Sequence, residues 1–154
     1  MTRVLFVCLG NICRSPLVEQ VAREQLATAR LEVSVASCGT GNWHVGETAD
    51  TRMIAAARAA GHDLAAHRAR QLRADDWQQF DLLLAMDHDN LAHLRHHAPS
   101  TALAAKAALF LPWSGIASPE AFPDPWHGDA AAFADAVALA ERAVPGLVAR
   151  LRRG

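Results

Sequence analysis

Apolar residues in this chain follow two rhythms. Three short runs are apolar throughout or after a charged first residue: residues 3–7 (RVLFV), 81–86 (DLLLAM) and 107–111 (AALFL). Each predicts a buried strand, and residues 31–37 (LEVSVAS), which alternate, predict another. Between them, apolar positions recur at helical spacing. Val18, Val21, Ala22 and Leu26 share one face of a helix with Pro16 in its first turn and Ser15 as the expected N-cap. Further helices are expected over residues 49–60, ending at Gly61, over a short stretch at 75–79, and over 90–97 with Leu91 and Leu94 inward. Phe133, Val137, Ala140, Val144 and Leu147 mark a last helix, which Pro145 is expected to kink or divide.

Two segments break the rhythm. "CGTGNWHVG" is a glycine-rich loop, and "PWSGIASPEAFPDPWHGD" carries four of the seven prolines. Strands alternating with helices imply βαβ units. The expected fold is therefore a single three-layer α/β domain over residues 1–154: a four-stranded parallel sheet with helices on both faces.

The composition narrows the function classes. A net charge of −1 argues against a partner held by bulk electrostatics, so no nucleic acid is expected. No apolar run reaches the length of a membrane span, and the N-terminus has no charged-then-apolar leader. A cytoplasmic monomer with no membrane partner is the expectation. Cys8, Cys13 and Cys38 are an odd number with no CxxC pair, which suits neither a disulfide framework nor a structural zinc site. Each is then a core hydrophobe or a reactive thiol.

Cys8 ends the first expected strand, and six residues later Arg14, Ser15 and Pro16 open a helix. In α/β folds a ligand sits beyond the carboxyl ends of the strands, where backbone amides and a helix N-terminus favour an anion. Arg14 adds a planar fork for two phosphate oxygens. The same positive surroundings favour the thiolate of Cys8, a nucleophile toward bound phosphorus. A bare Cys-x5-Arg match fixes only two positions; its place between strand and helix gives it weight.

The stretch "VCLGNICRSP" resembles the phosphate loop of the low-molecular-weight protein tyrosine phosphatases. The resemblance implies Cys8 as nucleophile, Arg14 as phosphate clamp and Ser15 as donor to the thiolate. Asn11 would hold the loop in a strained shape, and Leu9, Gly10, Ile12 and Cys13 would complete the phosphate cradle. Cys13 would also be a redox partner, able to form a reversible disulfide with Cys8. Such a nucleophile needs an acid to protonate the leaving oxygen. "FPDPWHG" offers Asp124 between two prolines, where the family carries its general acid; Asp124 would then activate water against the phosphocysteine. The remainder of the chain is similar to the family as well. Trp43 would line the cleft, Ser37 and His67 would support the phosphate loop from behind, and Asp87 follows the third strand.

Some positions depart from the family. The chain has no tyrosine, and Trp126 and His127 stand where aromatic residues, often a tyrosine pair, follow the Asp-Pro. An indole can still stack on a phosphotyrosine ring. Ile12 is typical of tyrosine-directed members, whereas relatives acting on phosphoarginine tend to carry threonine. Cys38, at a position where small residues are usual, reads as packing. His93, His96 and His97, with Asp89 a turn earlier, read as a solvated face in preference to a metal site. Thioredoxin-coupled arsenate reductases use a similar loop but need further cysteines in the second half of the chain, and none follows Cys38. A binding module with a dead site would be expected to have lost Cys8, Arg14 or Asp124. The expectation is a phosphotyrosine hydrolase that needs no cofactor or metal and acts on a phosphotyrosine-containing protein, with a bacterial tyrosine kinase as a reasonable client.

Overall fold

Strand β1 (Thr2–Cys8) is apolar at consecutive positions because both of its faces are covered. Val4 and Phe6 point into one core with Leu17, Val21, Met53, Val137 and Val144; Leu5 and Val7 point into the other with Trp77, Leu91 and Leu94. Full burial of each such side chain is worth about 1.5–3 kcal/mol. The computed structural model describes all of residues 1–154.

β1 pairs in parallel with β2 (Val33–Gly39) on one side and β3 (Leu82–Ala85) on the other; β3 pairs in parallel with β4 (Ala107–Leu109), giving the order β2-β1-β3-β4. The first core lies under α1 (Arg14–Thr28), α2 (Thr51–Ala59) and α7 (Ala130–Arg153), the second under α3 (Asp76–Gln79) and α4 (His88–His97). The expected parallel sheet covered on both faces is thus the observed one. The chain leaves β1 toward β2 and then crosses to β3 on the opposite side. The carboxyl end of β1 is therefore a topological switch point, where such folds open a crevice.

Three local expectations need correction, and one short helix has no counterpart among them. Ser15 lies inside α1 and is not its N-cap; Cys13 occupies the cap with no side-chain bond, and the Ser15 hydroxyl turns to Cys8 instead. The fourth strand stops at Leu109, since residues 110–111 enter a short helix, α6 (Phe110–Trp113), folded back onto the core. A further short helix, α5 (Thr101–Ala104), capped by the Ser100 hydroxyl, gave no apolar periodicity to read. Pro145 does not divide α7, which runs unbroken from Ala130 to Arg153. Pro145 and Glu141 both face solvent, so water can satisfy the carbonyl that the missing N–H leaves free. At the next residue α7 lies against α6's exit: a Cβ on Gly146 would fall 1.9 Å from the Ser114 carbonyl oxygen.

α1 and α7 are also joined through His62, whose Nδ1 and Nε2 lie 2.8 and 2.9 Å from the carboxylates of Glu24 and Glu141. Burial opposes the charged imidazolium, but the bonds to Glu141 and Glu24 outweigh it and raise its pKa. No helix is long and apolar enough to cross a membrane.

Candidate active site

Between β1 and α1 the backbone makes a tight loop, residues 9–13, that turns its carbonyls outward. The Cys8 and Leu9 carbonyls accept from Thr40 and Gly41 beyond β2, the Ile12 carbonyl from Asp50, and the Asn11 carbonyl from His67 Nε2 at 2.7 Å. The amides of Leu9, Gly10, Ile12 and Cys13 have no protein acceptor. A ring of donors with its acceptors occupied elsewhere is an anion nest.

Asn11 makes that shape possible. Its φ of 57° is left-handed, which asparagine tolerates better than most residues. Its side chain is fully buried and uses both donor positions and one of its two acceptor positions. Nδ2 donates to Ser15 Oγ (2.8 Å) and Ser37 Oγ (2.9 Å), while Oδ1 accepts from the Arg70 amide (2.9 Å). Ser37 Oγ in turn donates a hydrogen bond to Glu19, which pairs with Arg23. Ser15 Oγ also lies 2.9 Å from Cys8 Sγ, and its proton has a second acceptor in the Cys38 carbonyl at 3.5 Å. The Asn11 amide also reaches that sulfur, at 3.2 Å.

Arg14 is nearly buried, and its fork is half committed. Nη1 donates to Asp87 Oδ2 (2.8 Å) and the Phe122 carbonyl (3.0 Å), leaving the Nε and Nη2 edge toward the cleft. Asp87 uses its other oxygen to cap α4 through the Asn90 amide. Asp124 Oδ2 stands 3.8 Å from Arg14 Nη2, and Asp124 Oδ1 accepts from the Trp126 amide at 3.1 Å.

These groups meet in a cleft of about 270 Å³. Its floor is Cys8, Leu9, Gly10, Ile12, Cys13 and Arg14, and its walls are Trp43, Asp124, Trp126 and His127. Asn11 and Ser15 lie beneath the floor, and Ser37 and His67 behind them. His67 is held neutral by burial, which outweighs its bond to the Asn11 carbonyl. Burial, followed by the negative charge of Asp50 and Cys8, pushes the Cys13 thiol far up, and burial does the same to Cys38 within the second core. His93 and His97 stack with ring centres 4.0 Å apart and do not line the cleft.

The sequence reading left several contributors without a part. His44 lines the cleft, with its ring 5.8 Å from that of Trp126. Asp87, just after the third strand, both caps α4 and holds Arg14, and its place directly before a helix is the signal in the sequence. Gly39 pairs opposite Cys8, and a Cβ there would lie 2.6 Å from the Leu9 carbonyl and 3.2 Å from the Asn11 amide.

The sequence model of the family described as low molecular weight phosphotyrosine protein phosphatase matches residues 3–154. The chain belongs to that family. It is accordingly a protein tyrosine phosphatase, a hydrolase. It is 40% identical over 154 residues to a low molecular weight protein-tyrosine-phosphatase of Streptomyces coelicolor, covering 97% of this chain and 93% of the relative. A protein tyrosine phosphatase of Entamoeba histolytica, solved with Hepes in the active site, superposes with a TM-score of 0.94 at 30% identity, over 100% of this chain and 99% of that one. Wzb of Vibrio vulnificus, solved in complex with benzylphosphonate, superposes at 0.84 with 30% identity, over 97% and 98%.

The close approach at Gly39 gives a prediction for this phosphatase. Gly39→Ala forces the phosphate loop to shift and lowers kcat/KM for aryl phosphates roughly 10–100-fold, as expected when reacting groups are displaced by a fraction of an ångström to an ångström. Inhibition by inorganic phosphate weakens in parallel. An unchanged inhibition constant would show that the loop tolerates the methyl group.

Proposed function

We propose that Cys8 is the nucleophile, Arg14 the phosphate clamp and Asp124 the general acid and base of phosphotyrosine hydrolysis. The observation that carries this reading is the Cys8 sulfur, bonded by Ser15 Oγ and the Asn11 amide, on the floor of a cleft that Arg14 and Asp124 also enter. The phosphoryl oxygens lie against the amides of Leu9 to Arg14 and the free edge of the Arg14 guanidinium. The Cys8 thiolate attacks phosphorus, the bond to the leaving oxygen breaks, and Asp124 gives that oxygen its proton. Water then attacks the phosphocysteine, Asp124 takes up a proton, and the P–S bond breaks to return thiolate and phosphate. Donors fixed in advance around the equatorial oxygens stabilise both steps.

Trp43, Trp126 and His127 flank the substrate ring. Benzylphosphonate bound to Wzb is a benzyl group on a phosphate-like head, the chemistry such walls accept. Ile12 adds an apolar side chain to the floor, in keeping with an aryl substrate. Asn11 and Ser37 hold the loop, and His67 donates to it from behind. Under a peroxide, Cys8 takes one oxygen as sulfenic acid. Cys13 then displaces that oxygen as water and forms the Cys8–Cys13 disulfide. We assign the chain as one catalytic domain of the cytoplasm, with a phosphotyrosine-bearing protein, a bacterial tyrosine kinase by class, as its client.

The test is phosphate release from a phosphotyrosine peptide and a phosphoarginine peptide with a metal chelator present. Turnover of the first alone is expected. Turnover confined to phosphoarginine would overturn the aryl assignment, and turnover of neither by reduced, folded protein would overturn the reaction class.

A further inference from the structure

Asp124 sits on a segment with little to hold it. From Pro123 to Asp129 the backbone forms no helix or strand, and its internal main-chain bond is Gly128 N–H to the Pro125 carbonyl. The carboxylate of Asp124 takes its direction from the Trp126 amide, so whatever fixes Trp126 fixes the acid.

Arg52, the second residue of α2, does this. Its guanidinium makes contacts in three directions. Along one edge Nε and Nη2 donate to Asp50 Oδ1 (3.1 Å) and Oδ2 (2.9 Å), a fork-to-carboxylate pair. Asp50 is itself tied to the phosphate loop, because its amide donates to the Ile12 carbonyl at 2.9 Å. At the other corner Nη1 donates to the Trp126 carbonyl at 3.2 Å. Among the side chains outside residues 123–128, Arg52 makes the one hydrogen bond to the main chain of that segment. The guanidinium carbon also lies 4.6 Å from the Phe133 ring centre and 5.3 Å from that of Trp126, distances at which a cation on an aromatic face is attracted. One planar group therefore connects the loop carrying Cys8, the segment carrying Asp124 and the start of α7.

We propose that Arg52 is a positioning residue for the general acid: it sets Asp124 over the phosphate loop by holding Trp126, and it touches neither substrate nor phosphate. This rests on the reading of Asp124 given above. Lysine cannot replace it, since an ammonium group lacks the fork that grips Asp50 while a second nitrogen reaches Trp126.

The test uses wild type, Arg52→Ala, Arg52→Lys, Asp124→Ala and the Arg52→Ala/Asp124→Ala double variant on a series of aryl phosphates of graded leaving-group basicity. In wild type, protonation by Asp124 keeps log(kcat/KM) nearly level across the series. Both Arg52 variants are expected to steepen the dependence, losing roughly tenfold on the most basic leaving group and little on nitrophenyl phosphate. Inhibition by inorganic phosphate is unchanged, because the phosphate loop is intact. In the Asp124→Ala background, Arg52→Ala costs nothing further, as expected of a residue that acts only through the acid.

A wild-type slope in Arg52→Lys, or a further loss in the double variant, would overturn the proposal. If Asp124→Ala leaves the wild-type slope unaltered, the acid assignment itself falls, and the two failures are distinguished. Should Arg52→Ala unfold, Arg52→Lys, with its charge and stem retained, decides the same question.

Discussion

Cys8→Ser eliminates phosphotyrosine hydrolysis, with kcat reduced on the order of 10⁴-fold or more, the scale on which loss of a covalent nucleophile registers. The substitution exchanges sulfur for oxygen and little else. The Ser15 hydroxyl and the Asn11 amide still face the position, Arg14 keeps its bonds to Asp87 and Phe122, and the loop amides are untouched. A hydroxyl is a far weaker nucleophile than a thiolate, so what disappears is the attacking group and not the anion site. Inorganic phosphate therefore binds Cys8→Ser with an affinity within a few fold of wild type, measured by calorimetry. Acid-quenched wild type carries one phosphoryl group by mass during turnover, and the variant carries none. Residual turnover above one part in a hundred, or a phosphoryl group on the variant, would place the nucleophile elsewhere.

What could be read in advance follows from how local each feature is. Strand β1 and its handover to α1 are written in consecutive residues. The apolar run, the cysteine at its end and the Arg-Ser-Pro opening the helix need no tertiary partner to be recognised. Likewise the apolar stripe of α7 follows from 3.6-residue spacing alone. The misreadings arise where tertiary contacts override local preference. Ser15 before Pro16 has every local mark of an N-cap, but Cys8 Sγ and Asn11 Nδ2 compete for its hydroxyl and win, and the helix begins two residues earlier. The apolar run at 107–111 continues past the strand because Phe110 and Leu111 are buried as a helix, which burial alone does not distinguish from strand.

The site divides in the same way. Cys8, Arg14 and Asp124 carry chemical marks. Asp87, Gly39, Arg52 and His44 do not, since their contribution lies in which distant atoms they approach. Asp87 meets an arginine 73 residues away, and Arg52 a carbonyl 74 residues away. Gly39 looks like an ordinary loop glycine until Leu9 is seen packed against its α-carbon.

Asp124→Ala carries the second large effect, and its size depends on the leaving group. Tyrosine is a basic leaving group, with a phenol pKa of about 10, so its oxygen needs a proton as the P–O bond breaks. Without Asp124 that proton must come from water, and kcat/KM for a phosphotyrosine peptide falls roughly 10²–10⁴-fold, equivalent to about 3–5 kcal/mol of transition-state stabilisation. Nitrophenolate leaves without help, so kcat/KM for nitrophenyl phosphate falls far less. Its kcat still drops, because hydrolysis of the phosphocysteine has lost the base that activates water. Rapid-mixing experiments then show a burst of nitrophenol followed by slow turnover, with phosphoryl enzyme accumulating. Asp124→Asn separates position from proton. The amide oxygen can still accept from the Trp126 amide, as Oδ1 does in wild type, but the side chain has no proton to give and no base to take one. Asn and Ala variants of equal rate place the whole effect in proton transfer. An Asn variant close to wild type would assign Asp124 to loop geometry and leave the leaving oxygen to another donor, of which His127 and His44 are the titratable side chains in the cleft wall.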